Sequence, residues 1–571
     1  MRFTIFFLLY FLFFSFVANA QSPKDSKTIR LPLDLPISLA GTFGEPRSNH
    51  FHSGIDIRTA SKSGYKIYAI EDGYVSRIAV SPGGFGKAVY IDHPDGHTSV
   101  YAHLQQFEGE IASYVKKQQY KLESFEVNLS PDKTLIPVKK GQVIALSGNS
   151  GSSEGPHLHF EIRDTKSQEI LNPVDFGIKI RDDIKPNISR LVLYPIGTQS
   201  TANGSSKRSM IGVMELKENE KPVKPIILEA SGELSFGIST SDRMNDVPNT
   251  NGVQSITLMI DKNIFWQIQA DRFAFDETRY INSLIDYEFF ITYKSRVIRT
   301  EIDPLNKLSI YEKCINKGIL KLEEGKTYQA EYVVKDFNGN KSYLPFTIKG
   351  IASKTKGIAV KADSAVWKIT AGKAEETRNS RFFILFSEKS FYRDQSLTVI
   401  SSAEKGYLSA VLKISPVEIP VHQSYTIGLK PDQDKINHDK LVIVRLEKNE
   451  KPSSVGGKWE DGFIVTQLRT IGNFALMADT LAPKIKPVNF TNGKVVHTLK
   501  NLQLEISDEL SGITSYRGTL NGEWILMDYD AKNSLLTYSF DEKIRKGKNK
   551  LIVKVSDACG NNSNLSADLI Y

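Results

Sequence analysis

Glycine and proline interrupt this chain so often that long helices are excluded from almost all of it. With 39 glycines and 23 prolines among 571 residues, most uninterrupted stretches are strand-length. Turn-forming residues of this kind bound short runs of β-branched and aromatic side chains, the composition that fits a pleated, half-buried surface. Between Ile29 and Ile180 the runs Tyr65 to Ala69, Tyr74 to Val80, Ala88 to Asp92 and Thr98 to Ala102 read as strands. Gly73, Gly83-Gly84 and Pro94-Asp95-Gly96 punctuate them, the last as a hairpin turn. One stretch departs from the pattern. From Ile111 to Leu129 there is neither glycine nor proline, and Ile111, Val115, Leu122 and Phe125 recur at helical spacing. That predicts a helix inserted between about Phe107 and Leu129, its apolar stripe buried and Lys116, Lys117 and Lys121 in solvent.

A chain of 571 residues exceeds what one hydrophobic core supports, so several domains are expected. Past Asp183 the reading stays β, and a faint repeat emerges. Ile184-Lys185-Pro186-Asn187-Ile188 opens one segment, which Val334-Lys335-Asp336-Phe337-Asn338-Gly339-Asn340 closes. Ala482-Pro483-Lys484-Ile485 opens another, which Val555-Ser556-Asp557-Ala558-Cys559-Gly560-Asn561 closes. A proline start and an Asp-x-x-Gly-Asn turn before a final strand suit immunoglobulin-like sandwiches. The expected divisions are a signal peptide at 1–20, a His-rich β domain at 29–180, an Ig-like β-sandwich at 184–350, a β-rich unit at 351–480 and a second Ig-like β-sandwich at 481–571. The fold class is therefore mainly β, with one helical insertion.

The first residues carry an address. Met1-Arg2 precedes the nearly all-apolar run Phe3 to Val17, and Ala18-Asn19-Ala20 offers the small side chains a signal peptidase accepts. The run falls short of the roughly 20 apolar residues that span a bilayer, so cleavage after Ala20 and export are expected, to a periplasmic, cell-envelope or extracellular location. No transmembrane span is expected in the mature chain. The net charge of +8 is mild for this length, and the absence of a dense Lys/Arg block argues against nucleic acid as a partner. Cys314 and Cys559 are the two cysteines. They read as isolated thiols and exclude a cysteine-rich metal cluster, leaving histidine and carboxylate as ligands.

Histidine is the unevenly spread residue. Seven of the ten (His50, His52, His93, His97, His103, His157 and His159) lie between positions 50 and 159. His52-Ser53-Gly54-Ile55-Asp56 sets a histidine and an aspartate four residues apart on extended backbone. In Gly155-Pro156-His157-Leu158-His159-Phe160-Glu161-Ile162, strand periodicity turns His157 and His159 to one face, with Leu158 and Phe160 packed behind. Tyr101-Ala102-His103-Leu104 adds a histidine at a strand end. A catalytic zinc takes three His or carboxylate ligands and keeps a position for water, and further histidines can move protons or steady an oxyanion. Taken alone, His52/Asp56 and His103 fit structural roles better and His157/His159 fits either; together they point to a metal site.

Phe51-His52-Ser53-Gly54-Ile55-Asp56-Ile57, Gly86 to His93, Tyr101-Ala102-His103-Leu104, Gly148-Asn149-Ser150-Gly151 and Gly155-Pro156-His157-Leu158-His159-Phe160-Glu161 together resemble the lysostaphin/LytM family of zinc metallopeptidases. The resemblance covers about residues 38 to 176. It implies a β-sheet core with a groove, one Zn2+ per chain held by His52, Asp56 and His159, and His103 and His157 as the catalytic pair. It also implies an exported endopeptidase that cuts peptide bonds in peptidoglycan stems or cross-links; for the C-terminal domains, binding to wall, binding to protein partners and plain spacing are all open. A metal-free regulator of wall hydrolases, or a surface binding protein, are the other classes such a chain could serve. The first of these usually lacks ligands that are present here.

Overall fold

The computed structural model describes residues 29–213, 225–245, 247–353, 366–433 and 437–571. The proposed signal peptide lies outside them. Among the described residues no helix is long and apolar enough to cross a membrane. The chain is mainly β, and among the described residues helices are few and short.

The N-terminal region contains β1 (Leu39–Gly41), β2 (Ile55–Arg58), β3 (Lys66–Tyr68), β4 (Gly73–Val80), β5 (Lys87–Asp92), β6 (His97–Ala102) and β7 (Gln106–Phe107). The helix α1 (Gly109–Leu122) follows, then β8 (Val127–Leu129), β9 (Pro137–Val138), β10 (Val143–Leu146), β11 (His157–Asp164) and β12 (Ile170–Leu171). The main sheet runs β1-β2-β11-β6-β5-β4-β8, and β3-β10-β7 form a small second sheet. Strands β2, β11 and β6 lie side by side, with His159 opposite Asp56 on one neighbour and Ala102 on the other. Leu158 and Phe160 point the other way and are fully buried. Strand alternation thus decides which face carries chemistry and which carries core.

The insertion is helical but shorter than the sequence predicts. Ile111 and Val115 are buried, as expected, whereas Leu122 is 56% exposed. The reason is local. Glu123 takes a left-handed conformation that ends the helix, and the buried Gln119 occupies the stripe instead, its Nε2 donating to the Phe125 carbonyl at 2.7 Å. Phe125 does reach the core, but from beyond the helix. Lys116 is half-exposed and pairs with Glu542 at 3.0 Å.

Residues 187–350 add a ten-stranded sheet, 366–478 a six- and a five-stranded sheet, and 484–570 two four-stranded sheets. The first of these regions is fused to the His-rich domain rather than strung behind it. Strand β12 pairs with Arg272–Phe273, and one continuous apolar core runs from Ile29 to Ile348. Phe273 stacks on Phe43 at 5.0 Å and tilts against Phe51 at 5.7 Å, directly beneath the loop that carries His52. The last domain folds back onto the first. Trp524 meets Tyr120 of α1 edge-on at 5.1 Å, Glu542 reaches Lys116, and Asp528 pairs with Lys87. Cys314 and Cys559 are free thiols.

Candidate metal centre

Two constraints bring the loop before β2 onto β11. Gly54 crosses so close that a Cβ there would stand 2.3 Å from the Phe160 carbonyl oxygen, so no other residue fits without moving backbone. Phe51, anchored on Phe273, then fixes the residue before His52. As a result His52 Nε2 lies 3.0 Å from Asp56 Oδ1 and 3.1 Å from His159 Nδ1, and His159 Nδ1 lies 2.9 Å from the same carboxylate oxygen. All three residues are buried.

The outer contacts of this triangle decide what can sit inside it. His52 Nδ1 donates to the Thr42 carbonyl at 2.7 Å, and His159 Nε2 donates to Glu161 Oε1 at 3.0 Å. In the neutral rings this leaves His52 Nε2 and His159 Nδ1 as lone pairs, both aimed at a carboxylate oxygen. Three acceptors facing one another require a cation among them. Donors about 2.0–2.1 Å from a tetrahedral ion stand roughly 3.3 Å apart, close to the spacings found. The residues therefore fit one divalent metal ion of the His/Asp/His kind. Without the ion, a proton takes that place. Burial opposes charge on His159, yet hydrogen bonds to Asp56 and Glu161 outweigh it and raise its imidazolium to about 9. Burial likewise opposes ionisation of Asp56. The charge of His52 and hydrogen bonds from the three histidines prevail and hold it well below the usual carboxylate range.

Partners outside the triangle aim its members. Glu161, fully buried, is itself held by Arg163, whose Nε donates at 2.7 Å. Arg47 Nη2 takes the other oxygen of Asp56 at 3.1 Å and pairs with Glu45. Only Oδ1 is left to face the histidines. Such outer contacts fix tautomer and orientation. Glu45 is anchored from the next region, since its Oε2 accepts from the main-chain N–H of Gly252 at 3.1 Å.

His103 and His157 flank the triangle, their rings 4.9 Å apart. His103 ends β6 in a left-handed conformation, φ 58°, a strain of order 1–3 kcal/mol for a residue with a Cβ. Its Nδ1 donates to the Ser150 carbonyl at 2.9 Å, so Nε2 carries the free lone pair. Burial, then the neighbouring His159 and His157, lower it to about 3, which keeps it a neutral base. His157 Nδ1 donates to the Gly155 carbonyl at 2.8 Å, and its Nε2 lies 3.3 Å from Asp56 Oδ1. Phe85 packs against the His159 ring at 5.0 Å and walls off the far side.

All five residues singled out from the sequence thus converge. The other early histidines do not: His50 is exposed and bonds the Ser48 carbonyl, His93 is a core residue between Asp72 and Ser99, and His97 pairs with Asp95. The sequence reading did not assign roles to Thr42, Arg47, Phe85, Ser150 or Glu161. Glu161 had a usable signal, because it stands two residues from His159 on the same strand face. Lys532 had none. It arrives from the last domain, and its Nζ donates to the Asn149 carbonyl and, at 2.9 Å, to that of Ser153. These flank the turn whose Ser150 carbonyl holds His103.

Known proteins match parts of this chain in sequence. The Peptidase family M23 model matches residues 50–120 and 129–173, and a Zu5-like domain model matches 368–479. An uncharacterized metalloprotease of Haemophilus influenzae is 36% identical over 110 residues, 19% of this chain and 18% of that protein. The DD-carboxypeptidase/endopeptidase Mpg of Neisseria meningitidis is 32% identical over 127 residues, 22% of this chain and 23% of that protein. This chain therefore spans under a quarter of the length of these relatives. The catalytic domain of the prophage-encoded M23 protein EnpA from Enterococcus faecalis matches at 26% identity and a TM-score of 0.19, covering 25% of this chain and 93% of that one.

Proposed function

We infer that the N-terminal region is an M23-type peptidase domain, in line with the lysostaphin/LytM resemblance of its motifs. From that premise we propose that this chain is an exported zinc endopeptidase that hydrolyses peptide bonds in peptidoglycan. The observation that carries the reading is the triangle of three converging acceptors, with His103 and His157 beside it. Two Vibrio cholerae relatives named peptidoglycan DD-endopeptidase, ShyB and ShyA, 32% and 31% identical over 111 and 140 residues, support the substrate class.

His52, Asp56 and His159 would hold one zinc ion, which when bound supplies Lewis acidity that polarises a carbonyl oxygen and acidifies water. His103 Nε2, neutral and aimed into the site, accepts the proton of the attacking water. His157, anchored at Gly155 through Nδ1, presents Nε2 from the side of Asp56. From there it faces the oxygen of the scissile carbonyl, where negative charge builds. Phe85 and the 149–153 turn exclude bulk water from one flank and strengthen those contacts. The metal-free regulator and the surface binding protein are disfavoured by the same observation, since neither needs two spare histidines beside a complete ligand set.

The test is metal analysis of the purified chain followed by solubilisation of purified peptidoglycan. One zinc per chain, with release that stops on chelation and returns with zinc, supports the proposal. Release that continues unchanged in the metal-free protein overturns it.

A further inference from the structure

A second group of acidic residues sits where the peptidase domain joins the region behind it. Asp182 comes from the connection between the two, Asp242 follows the strand Ile226–Ser241, and Asp336 opens the Asp-x-x-Gly-Asn turn. Each offers a carboxylate oxygen, all within 4.8 Å of one another, and their exposures are 7%, 1% and 0%.

The three are not equally satisfied. Asp336 Oδ1 accepts from the Asn338 and Asn340 N–H groups at 2.8 and 2.9 Å, and its Oδ2 from Asn340 Nδ2 at 2.8 Å. Asp182 Oδ1 accepts from the Ile184 N–H at 3.0 Å. Both oxygens of Asp242 are sealed from solvent and neither accepts a hydrogen bond of regular geometry; the one favourable contact is a weak one from the Arg243 main-chain N–H. Burial first, and then Asp182 and Asp336, push its carboxyl up to about 8. A buried carboxylate with two unmet oxygens and two like-charged neighbours is costly unless a cation joins them.

The chain contains its own control. Asp479, Asp508 and Asp557 make the same triad in the last domain, on the same scaffold. Asn340 Nδ2 donates to the Asp182 carbonyl at 3.1 Å, and Asn561 Nδ2 donates to the Asp479 carbonyl at 3.1 Å. There, however, main-chain N–H groups serve every carboxylate. Leu481 and Ser511 serve Asp479, Leu510 and Gly512 serve Asp508, and Cys559 and Asn561 serve Asp557. One copy of the repeat is closed by hydrogen bonds. The other is left with a buried carboxyl that no regular hydrogen bond serves.

We propose that Asp182, Asp242 and Asp336 form a structural calcium site. The donor set is all oxygen, carboxylate and hard, which favours calcium over a nitrogen- or sulfur-seeking metal. The ion would fasten a specific joint. Asp242 and Asn251 exchange main-chain hydrogen bonds of 2.9 and 2.8 Å and so close the loop between them. From that loop Asn249 accepts from Arg58 at 2.8 Å and donates to the Ala40 carbonyl at 3.3 Å. Gly252, just beyond it, holds Glu45, the partner of Arg47. A cation at the base of the loop therefore braces the support behind Asp56.

The experiment titrates calcium chloride into the full chain, kept zinc-loaded in calcium-free buffer, and follows heat of binding and thermal unfolding. The account predicts one calcium per chain, saturating by about 10 mM as in extracellular modules, and a rise of several degrees in unfolding temperature. Asp242→Asn abolishes both effects, while Asp508→Asn in the hydrogen-bonded triad leaves them intact. Should Asp242→Asn fail to fold, Asp182→Asn decides, because it keeps the acceptor for Ile184 while losing the charge. No saturable calcium uptake by the native chain overturns the proposal, as does native-like uptake by a folded Asp242→Asn or Asp182→Asn variant.

Discussion

Replacing Glu161 by glutamine separates a residue that aims a ligand from one that binds metal. The native carboxylate has two acceptor oxygens and uses both, Oε1 on His159 Nε2 at 3.0 Å and Oε2 on Arg163 Nε at 2.7 Å. Glutamine keeps one acceptor. If it serves Arg163, the amide N–H groups face His159 Nε2, which must then accept, and the ring proton moves to Nδ1, where the metal bond forms. If it serves His159, the amide faces the buried guanidinium of Arg163 donor to donor. Metal binding must meet one of these costs. Outer-contact changes of this kind weaken affinity about 10–100-fold, equivalent to about 1.4–2.7 kcal/mol. Competition against a chromophoric zinc chelator reads the dissociation constant directly. The variant should still reach one zinc per chain at saturation. An unchanged dissociation constant in a folded Glu161→Gln protein would refute the claim that this carboxylate sets the His159 tautomer.

Further outcomes follow from the same geometry. His52→Ala, Asp56→Ala and His159→Ala should each purify with little zinc, because losing one of three ligands cripples the site; full occupancy in His159→Ala removes it from the ligand set. His103→Ala and His157→Ala should keep zinc and lose about 10²–10⁴-fold in turnover on wall fragments, the range of a proton-transfer or oxyanion contact; native rates in both would cancel those roles. Lys532→Ala should lower turnover with zinc retained, since it frees the turn whose Ser150 carbonyl holds His103. A folded Lys532→Ala protein of native rate would reduce that contact to packing.

Much of the site was legible because strand chemistry is local. His157 and His159 share a face by a period of two, and Ser53-Gly54 reads as extended backbone, although the close approach of Gly54 to the Phe160 carbonyl is visible only in the structure. The strands from Tyr65 to Ala102 were legible for the same reason, with glycine and Pro-Asp-Gly turns bounding β-branched runs. The helix was read about two turns too long, to Leu129 rather than Leu122. Its end is set by Glu123 turning left-handed, and nothing in the Ile111, Val115, Leu122, Phe125 spacing reports that. What stayed hidden is long-range. Phe273 beneath the His52 loop, Gly252 on Glu45 and Lys532 on the 149–153 turn come from elements hundreds of residues away, brought in by tertiary packing that no local pattern encodes. The repeat of the Asp-x-x-Gly-Asn turn was visible in sequence, but not that one copy satisfies its carboxylates and the other does not.

The central claim is that this centre cuts peptide bonds in peptidoglycan, and mass spectrometry of the soluble products from purified sacculi tests it most directly. Zinc-loaded native protein should release muropeptides whose cross-links have gained one water across an amide, with glycan strands intact. The His103→Ala protein, at equal zinc content, should release almost none. Products cut in the glycan, or no products from a fully zinc-loaded native chain, would contradict the account.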